Sequence, residues 1–451
     1  MKKVVIFILI LAVIAGGFLF TIYYTGKKTD EFFHYNSGIL YSNSGLKWVL
    51  TDSEKSFFSG KYQTKLSTDN ETLFTFEHNA KFGISINPFS VGSISTKINI
   101  AAAKELSKLN DKEFKLNSII TLSGIDTDIF MEGGDISEYD IFSDEFENLT
   151  WKDINAKIFV SFQKDIFNID ADIPLVNIDA SRNEFFIVKE QKYRGYFSKK
   201  ELGLWLGNWD INVGNVEFYA DDIEFSLANL NFKTQIAQDK PSILKYANKL
   251  SFGELKYYNL PERNLLLNDV VFNINFENLD AVSIQKIAKT MNEIDAMDER
   301  QLNTAAFSVL GYIPDIFAKQ PKIVLEEFSG KYSNASAKIS GFAQYVGDGN
   351  LDNDDGFIKY IDLKMNFDID ENIFREFLKQ KIYQNYYGYD PENREEFEEN
   401  IENEIALEIE SLEEELGIKS EGGAYKGVFE FKNGGFLLNG KAYDSLFLQG
   451  I

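Results

Sequence analysis

Ile361-Asp362-Leu363-Lys364-Met365-Asn366-Phe367-Asp368-Ile369-Asp370 alternates apolar and polar residues over ten positions without a slip. Side chains alternate across an extended strand, so this stretch predicts a β-strand with one apolar and one polar face. The same period recurs along the chain. Leu46, Trp48 and Leu50 share a face, as do Ile154, Ala156, Ile158, Val160 and Phe162. Further rows are Trp209, Ile211 and Val213; Val270, Phe272, Ile274 and Phe276; and Ala335, Ala337, Ile339, Gly341, Ala343 and Tyr345. Strands with one wet face usually pair antiparallel. They do not alternate regularly with helices, which argues against a doubly wound parallel sheet. The expected fold class is mainly β with a few helices (α+β): an N-terminal transmembrane helix, then extended antiparallel sheets apolar on one face.

Helical periods interrupt the strands in a few places. Asp280 is placed to cap a helix running to about Met297, with Ile284, Ile287, Ala288, Met291 and Ile294 on one stripe. A second runs from about Gln301 to Gly311, with Pro314 expected to stop it. A third spans Asn372 to Tyr387. A longer one ends at Leu416, with Phe397, Ile401, Ile405, Ile409 and Leu412 on its stripe and Gly417 as its terminator. Three regions follow: an anchor over 1–28, a β-rich extracytoplasmic region over 29–278 and a helix-containing α+β region over 279–451.

The anchor reading rests on Val4 to Tyr24, twenty-one residues without a charge. A helix of that length covers ~30 Å, enough for a hydrocarbon core. A cleaved signal peptide would carry a shorter apolar stretch and then a polar one. Here Phe18 to Tyr24 follows the small residues Ala15, Gly16 and Gly17 directly. Lys2 and Lys3 favour an N-terminus inside and the bulk of the chain outside, and Tyr23 and Tyr24 suit the headgroup belt.

The formal net charge of −24 repels phosphate backbones and makes nucleic acid an unsuitable partner. Cysteine is absent, which excludes disulfides, thiolate catalysis and zinc–thiolate sites. Of the two histidines, His34 lies near the anchor and His78 in a strand-like stretch, and both read as ordinary surface or strand residues. Ser-x-x-Lys occurs at Ser44 to Lys47 and Ser161 to Lys164, but in or beside strands rather than on a helix N-terminus. No nucleophile–base constellation emerges, so the chain reads as no enzyme, with no catalytic or cofactor-binding residues. The candidate metal loop is Asp348, Asn350, Asp352 and Asp354, whose oxygens at alternate positions would suit calcium. It lacks the EF-hand glycine and closing glutamate, and a polar hairpin loop accounts for its composition equally well. The candidate ligand groove is Ile361, Leu363, Met365 and Phe367.

Several short motifs run in the order found in one family. They are Gly16-Gly17 followed by Tyr23-Tyr24-Thr25-Gly26-Lys27-Lys28, Ser56-Phe57-Phe58-Ser59-Gly60 and Gly203-Leu204-Trp205-Leu206-Gly207. Asn278-Leu279-Asp280-Ala281 and the closing Asn433-Gly434-Gly435-Phe436-Leu437-Leu438-Asn439-Gly440-Lys441 complete the set. In these the chain resembles the YdgA-like proteins, bacterial envelope proteins of unassigned function. It departs from them at Ile86-Asn87-Pro88-Phe89, where the family often has a His-Gly-Pro element. The resemblance implies an inner-membrane, single-pass, periplasm-facing protein with a β-rich fold and a homodimeric state. It supplies no catalytic residue.

The expected function is a membrane-anchored, non-catalytic structural or interaction module, with envelope proteins or lipid as partners. The alternative is binding or transfer of an apolar ligand such as lipid in a sheet-lined groove. An envelope enzyme comes third. A groove left open and a core packed shut have the same strand pattern, so the sequence alone leaves these readings standing together.

Overall fold

The computed structural model describes residues 23–443 except 32, 35–38, 42–45, 69–71, 84–89, 101–111, 138–145, 164, 181–183, 201, 221–222, 260–262, 294–304, 306, 333, 350–356 and 386–393. The apolar run from Val4 lies outside these residues but for Tyr23 and Tyr24. Among the described residues no helix is long and apolar enough to cross a membrane. The chain divides into two compact units, Met1–Ile223 and Glu224–Ile451. The protein is mainly β, as the alternation predicts, and the ladders described below are all antiparallel.

The first unit opens with helical residues 23–31, 33 and 34. A meander follows: β1 (Ile39–Tyr41), β2 (Leu46–Lys55), β3 (Ser59–Ser67), β4 (Thr72–Phe82), β5 (Ser90–Ile100), β6 (Phe114–Thr121) and β7 (Gly124–Met131). Each pairs with the next. The hairpin β8 (Gly134–Ser137) and β9 (Phe146–Trp151) is then bypassed, because β7 pairs with β10 (Ile154–Ser161). β11 (Ile166–Ala180) is long enough to pair with β10 along its first half and β9 along its second. β12 (Phe185–Lys199) and β13 (Trp205–Ala220) follow. Directly paired residues share a face, so the registers join Thr64, Phe76, His78, Ile94, Thr96, Ile120, Ile125, Val160, Phe167, Phe197 and their neighbours into one apolar surface. Its β3–β7 end is a closed core: Phe33 of the helix, Tyr62, Ala80, Phe82, Val91, Ile94, Ile120 and Ile125 are buried together. Farther along, Ile158, Ile169, Phe197 and Trp209 remain half-buried.

The second unit holds β14 (Ile223–Lys240), which begins on its boundary, and β15 (Ile243–Asn259), β16 (Arg263–Asp280), β17 (Lys322–Tyr332), β18 (Ala335–Tyr345), β19 (Ile361–Asp370), β20 (Ala424–Lys432), β21 (Gly435–Leu438) and β22 (Lys441–Tyr443). From β15 onward each strand pairs with its successor. The last turns are Asn433-Gly434 and Asn439-Gly440, all four at positive φ, which is what a tight hairpin with strand-matched twist needs. The helices lie between strands: α1 (Ala281–Glu293) and α2 (Ile313–Phe317) before β17, α3 (Glu371–Asn385) and α4 (Arg394–Leu416) before β20.

The caps read from the sequence are present. The Ser283 amide donates to Asp280 Oδ2 at 2.8 Å, and Gly417 takes φ +61° after α4. Pro314 is a correction in part. The helical residues before it do end at Gly311 as expected, but Pro314 belongs to the first turn of the next helix, α2, where its missing N–H costs nothing. Residues 301–304 and 306 of the expected second helix, and Gly388 to Pro391, lie outside the described residues.

One feature was not visible in the alternation. In β12 and β13 the apolar residues change parity, from Val188 to Tyr193 and from Val213 to Val216, although the pairing keeps its register. Phe252 to Leu255 in β15 and Leu267 to Val270 in β16 do the same. Glu190 (φ +55°) and Asp269 (φ +52°) stand at these points. A left-handed residue breaks the extended pleat, which gives the alternation a place to restart in the opposite phase.

Candidate apolar binding face

The decisive strand of the sequence lies in the middle of the second unit's sheet. Ile361 pairs with Tyr345, Leu363 with Ala343, Met365 with Gly341 and Phe367 with Ile339 on β18. On the other side Leu363 pairs with Phe431, Met365 with Phe429 and Phe367 with Gly427 on β20. The four predicted groove residues therefore stand in one file on one face. All four are half-buried; of the polar residues between them Lys364 and Asn366 are exposed and Asp362 is half-buried, and Asp368 just beyond is exposed. The polar face carries exposed ion pairs, Lys364 with Glu430 at 3.0 Å and Lys426 with Asp368 at 3.0 Å, which contribute little to stability.

Side-chain size shapes this face. β18 contributes Ala335, Ala337, Ile339, Gly341 and Ala343, four of them small. β17 on one side contributes Ile323, Leu325 and Phe328, and β19 on the other Leu363, Met365 and Phe367. Strands are spaced ~4.8 Å apart, so the small residues leave a shallow depression at Gly341 and Ala343, separated by Ile339 from Ala335 and Ala337. Met365 leans into it, since a Cβ on Gly341 would meet its sulfur at 2.7 Å. Ile323 and Phe328 on the β17 side are each 43% exposed.

One end of the face is closed. Leu378 and Ile382 of α3 and Ile401, Ile405 and Ile409 of α4 form a buried cluster with Tyr425, and Phe367 and Phe374 pack against it. Burial, then the Glu413 carboxylate that accepts the Tyr425 hydroxyl at 2.9 Å, pushes that phenol up to about 12. The other end is covered as well: Tyr345, the partner of Ile361, is buried with Phe317 of α2 packed on it at 4.9 Å, so the half-buried groove residues lie between two helix-covered ends.

The other sequence candidates fall out differently. Of the metal loop only Asp348 is described, and it is exposed; Asn350, Asp352 and Asp354 lie outside the described residues. Among the described residues no group of three or more His, Asp or Glu side chains could hold a metal ion. Ser161 is committed to its turn: its hydroxyl donates to Asp165 Oδ1 at 2.6 Å and accepts the Asp165 and Ile166 amides at 3.0 Å. Ser44 and Lys164 lie outside the described residues. His34 is exposed, with Nδ1 2.9 Å from the Asp30 carbonyl.

His78 is a buried group whose setting the sequence reading missed. Its Nε2 lies 2.9 Å from Thr64 Oγ1 and its Nδ1 2.8 Å from Thr96 Oγ1, one partner on each neighbouring strand. Phe33 packs on it with ring centroids 4.7 Å apart. Desolvation holds its pKa down at about 4, so the imidazole is neutral near pH 7. The Thr residues two positions into otherwise apolar rows were the available signal.

No curated protein and no solved structure matches the chain. A family model described as "Bacterial protein of unknown function (DUF945)" matches residues 1–444, nearly the whole length, and is compatible with the YdgA-like motifs. By that match the chain belongs to this bacterial family of unknown function.

Proposed function

We propose that this protein is a non-catalytic envelope module, held at the bacterial inner membrane by the apolar run from Val4 to Tyr24 and facing the periplasm, that shelters a lipid acyl chain on the β17–β19 face. The observation that carries this reading is the apolar face at Gly341 and Ala343, small residues of β18 between Leu363 and Met365 of β19 and the β17 file whose Ile323 and Phe328 are each 43% exposed. A closed core would place large residues opposite small ones across a second layer. An acyl chain is flexible and apolar and can lie along such a face. Met365, unbranched and soft, is suited to move aside for it.

The test is site-specific photo-crosslinking in bacterial cells of the full chain carrying benzoyl-phenylalanine at Met365, or at Lys364 on the opposite face. Lipid adducts from position 365 and none from 364 are expected. Protein adducts at 365, or no adduct at either position, would sink the reading.

A further inference from the structure

The end of the first unit where the chain leaves toward Val4 carries a set of apolar turn tips. The helix that follows the apolar run packs along the sheet in a defined direction. A Cβ on Gly26 would meet the Phe82 ring at 3.2 Å, Asp30 reaches Lys55 at 3.5 Å, and Phe33 stacks on Tyr62 at 4.3 Å. Phe82 and Lys55 end β4 and β2, whereas Tyr62 lies farther down β3. The helix therefore starts at the end of the sheet that holds the β2–β3 turn, with Tyr23 outermost.

Antiparallel pairing puts the β2–β3, β6–β7 and β12–β13 turns at this same end. Each exposes a large apolar side chain. Phe57 and Phe58 are 46% and 57% exposed, Leu122 is 62% exposed, and Trp205 at the start of β13 is 40% exposed. Tyr23 adds 59%. The Phe82 amide donates to the Phe58 carbonyl at 2.7 Å, so Gly26, Phe82 and Phe58 lie side by side and the first tip is next to the chain's exit. Hairpin tips ordinarily carry polar residues. Three tips with aromatic or aliphatic residues at the end of the sheet from which the apolar run departs, the first of them next to that exit, are what an interfacial contact requires.

We infer that this edge docks on the bilayer, with Phe57, Phe58, Leu122 and Trp205 seated among the headgroups and first methylenes. The occupant is a phospholipid surface, the one apolar phase the adjoining run from Val4 would itself enter. The inference rests on the anchoring reading of the previous section. It adds that the first unit lies on the membrane by a defined edge instead of swinging on a tether.

The chain has no cysteine, so single substitutions can be labelled cleanly. Phe58→Cys, Leu122→Cys and Glu132→Cys variants of the full chain, each spin-labelled, are reconstituted into phosphatidylethanolamine–phosphatidylglycerol vesicles. Glu132 is exposed and follows β7 at the opposite end of the sheet. Power saturation then compares collision with oxygen and with a water-soluble nickel chelate. Labels at 58 and 122 are expected to gain oxygen collisions and lose chelate collisions several-fold relative to 132. Equal chelate access at all three positions, in chains that float with the vesicles, would overturn the docking edge and leave the anchor standing. Loss of both collision partners at 58 and 122 would mean contact with another copy and also overturn it. Chains that fail to float at all would overturn both.

Discussion

The ring of Phe367 lies across Gly427, its partner on the neighbouring strand, so that a Cβ added to the glycine would overlap the ring edge. Trp209 covers Gly195 in the same way in the first unit. An aromatic laid over a cross-strand glycine fills the gap left by the missing side chain and shields the backbone there. Gly427→Val is expected to cost about 1–3 kcal/mol by forcing Phe367 off its position. Phe367→Ala should relieve much of that cost in the double variant. Urea midpoints of the four chains in the cycle measure the coupling, and additive effects would show that the ring does not rest on the glycine.

Acid should weaken the first unit through His78. Its pKa is held at about 4 by burial, against 6.5 for the free group, so the folded state favours the neutral ring. The stabilising difference is complete above pH 6.5 and is lost as pH falls toward 4. Integrated over that window it amounts to about 3 kcal/mol. Tyr62 and, through it, Asp30 are the other titratable groups packed beside the ring; burial first, then Asp30, raises the Tyr62 phenol, which stays neutral throughout this range. His78→Leu should flatten the dependence of the melting temperature on pH between 4 and 6.5. A slope unchanged from the parent chain would assign the effect elsewhere.

The helix-covered cluster and the middle of the second unit's sheet should respond differently to a charge. Ile405 is fully buried in the α3–α4 cluster, and Ile405→Asp is expected to cost more than about 3 kcal/mol. Met365→Glu, on the half-exposed file, should cost about 1 kcal/mol. Thermal melts followed by circular dichroism compare them. Equal collapse of both variants would mean that the Met365 face is a core.

Asp280 caps α1 through the Ser283 amide and is itself buried. Asp280→Ala should cost about 1 kcal/mol and be felt locally. Hydrogen exchange is expected to quicken in residues 281–293 before it changes in β16 or β17. Uniform loss of protection would show that the cap supports the sheet and not the helix alone.

Much of this fold is legible because one-sided strands write their geometry directly. The files Ile361 to Ile369, Ala335 to Tyr345 and Val270 to Phe276 each became one strand with the expected face. The caps at Asp280 and Gly417 were equally readable, since each answers a local backbone need. The helix end at Gly311 was readable, but not the new helix that Pro314 helps to open, because a proline after a helical stretch can also begin the next one and only the path of the chain decides. The parity changes at Glu190 and Asp269 were not legible, because an alternation rule assumes that φ keeps its sign. The four candidate groove residues do stand in one file, but the shape of the face around them was not legible. It depends on which strand lies beside which, and the small residues of β18 gain meaning only when β17 and β19 flank them. His78 was passed over for the same reason, since its two threonine partners lie on other strands.

The order of the ladders also bears on how the chain reaches this state. Nearly every strand pairs with the one just before it in the sequence, so few long loops must close before pairing brings any gain. A chain emerging end-first can add strand upon strand to a growing edge without waiting for its far end. The β8–β9 hairpin is the exception, because β9 finds its second partner only when the second half of β11 has been made. That hairpin is where assembly of the first unit should pause.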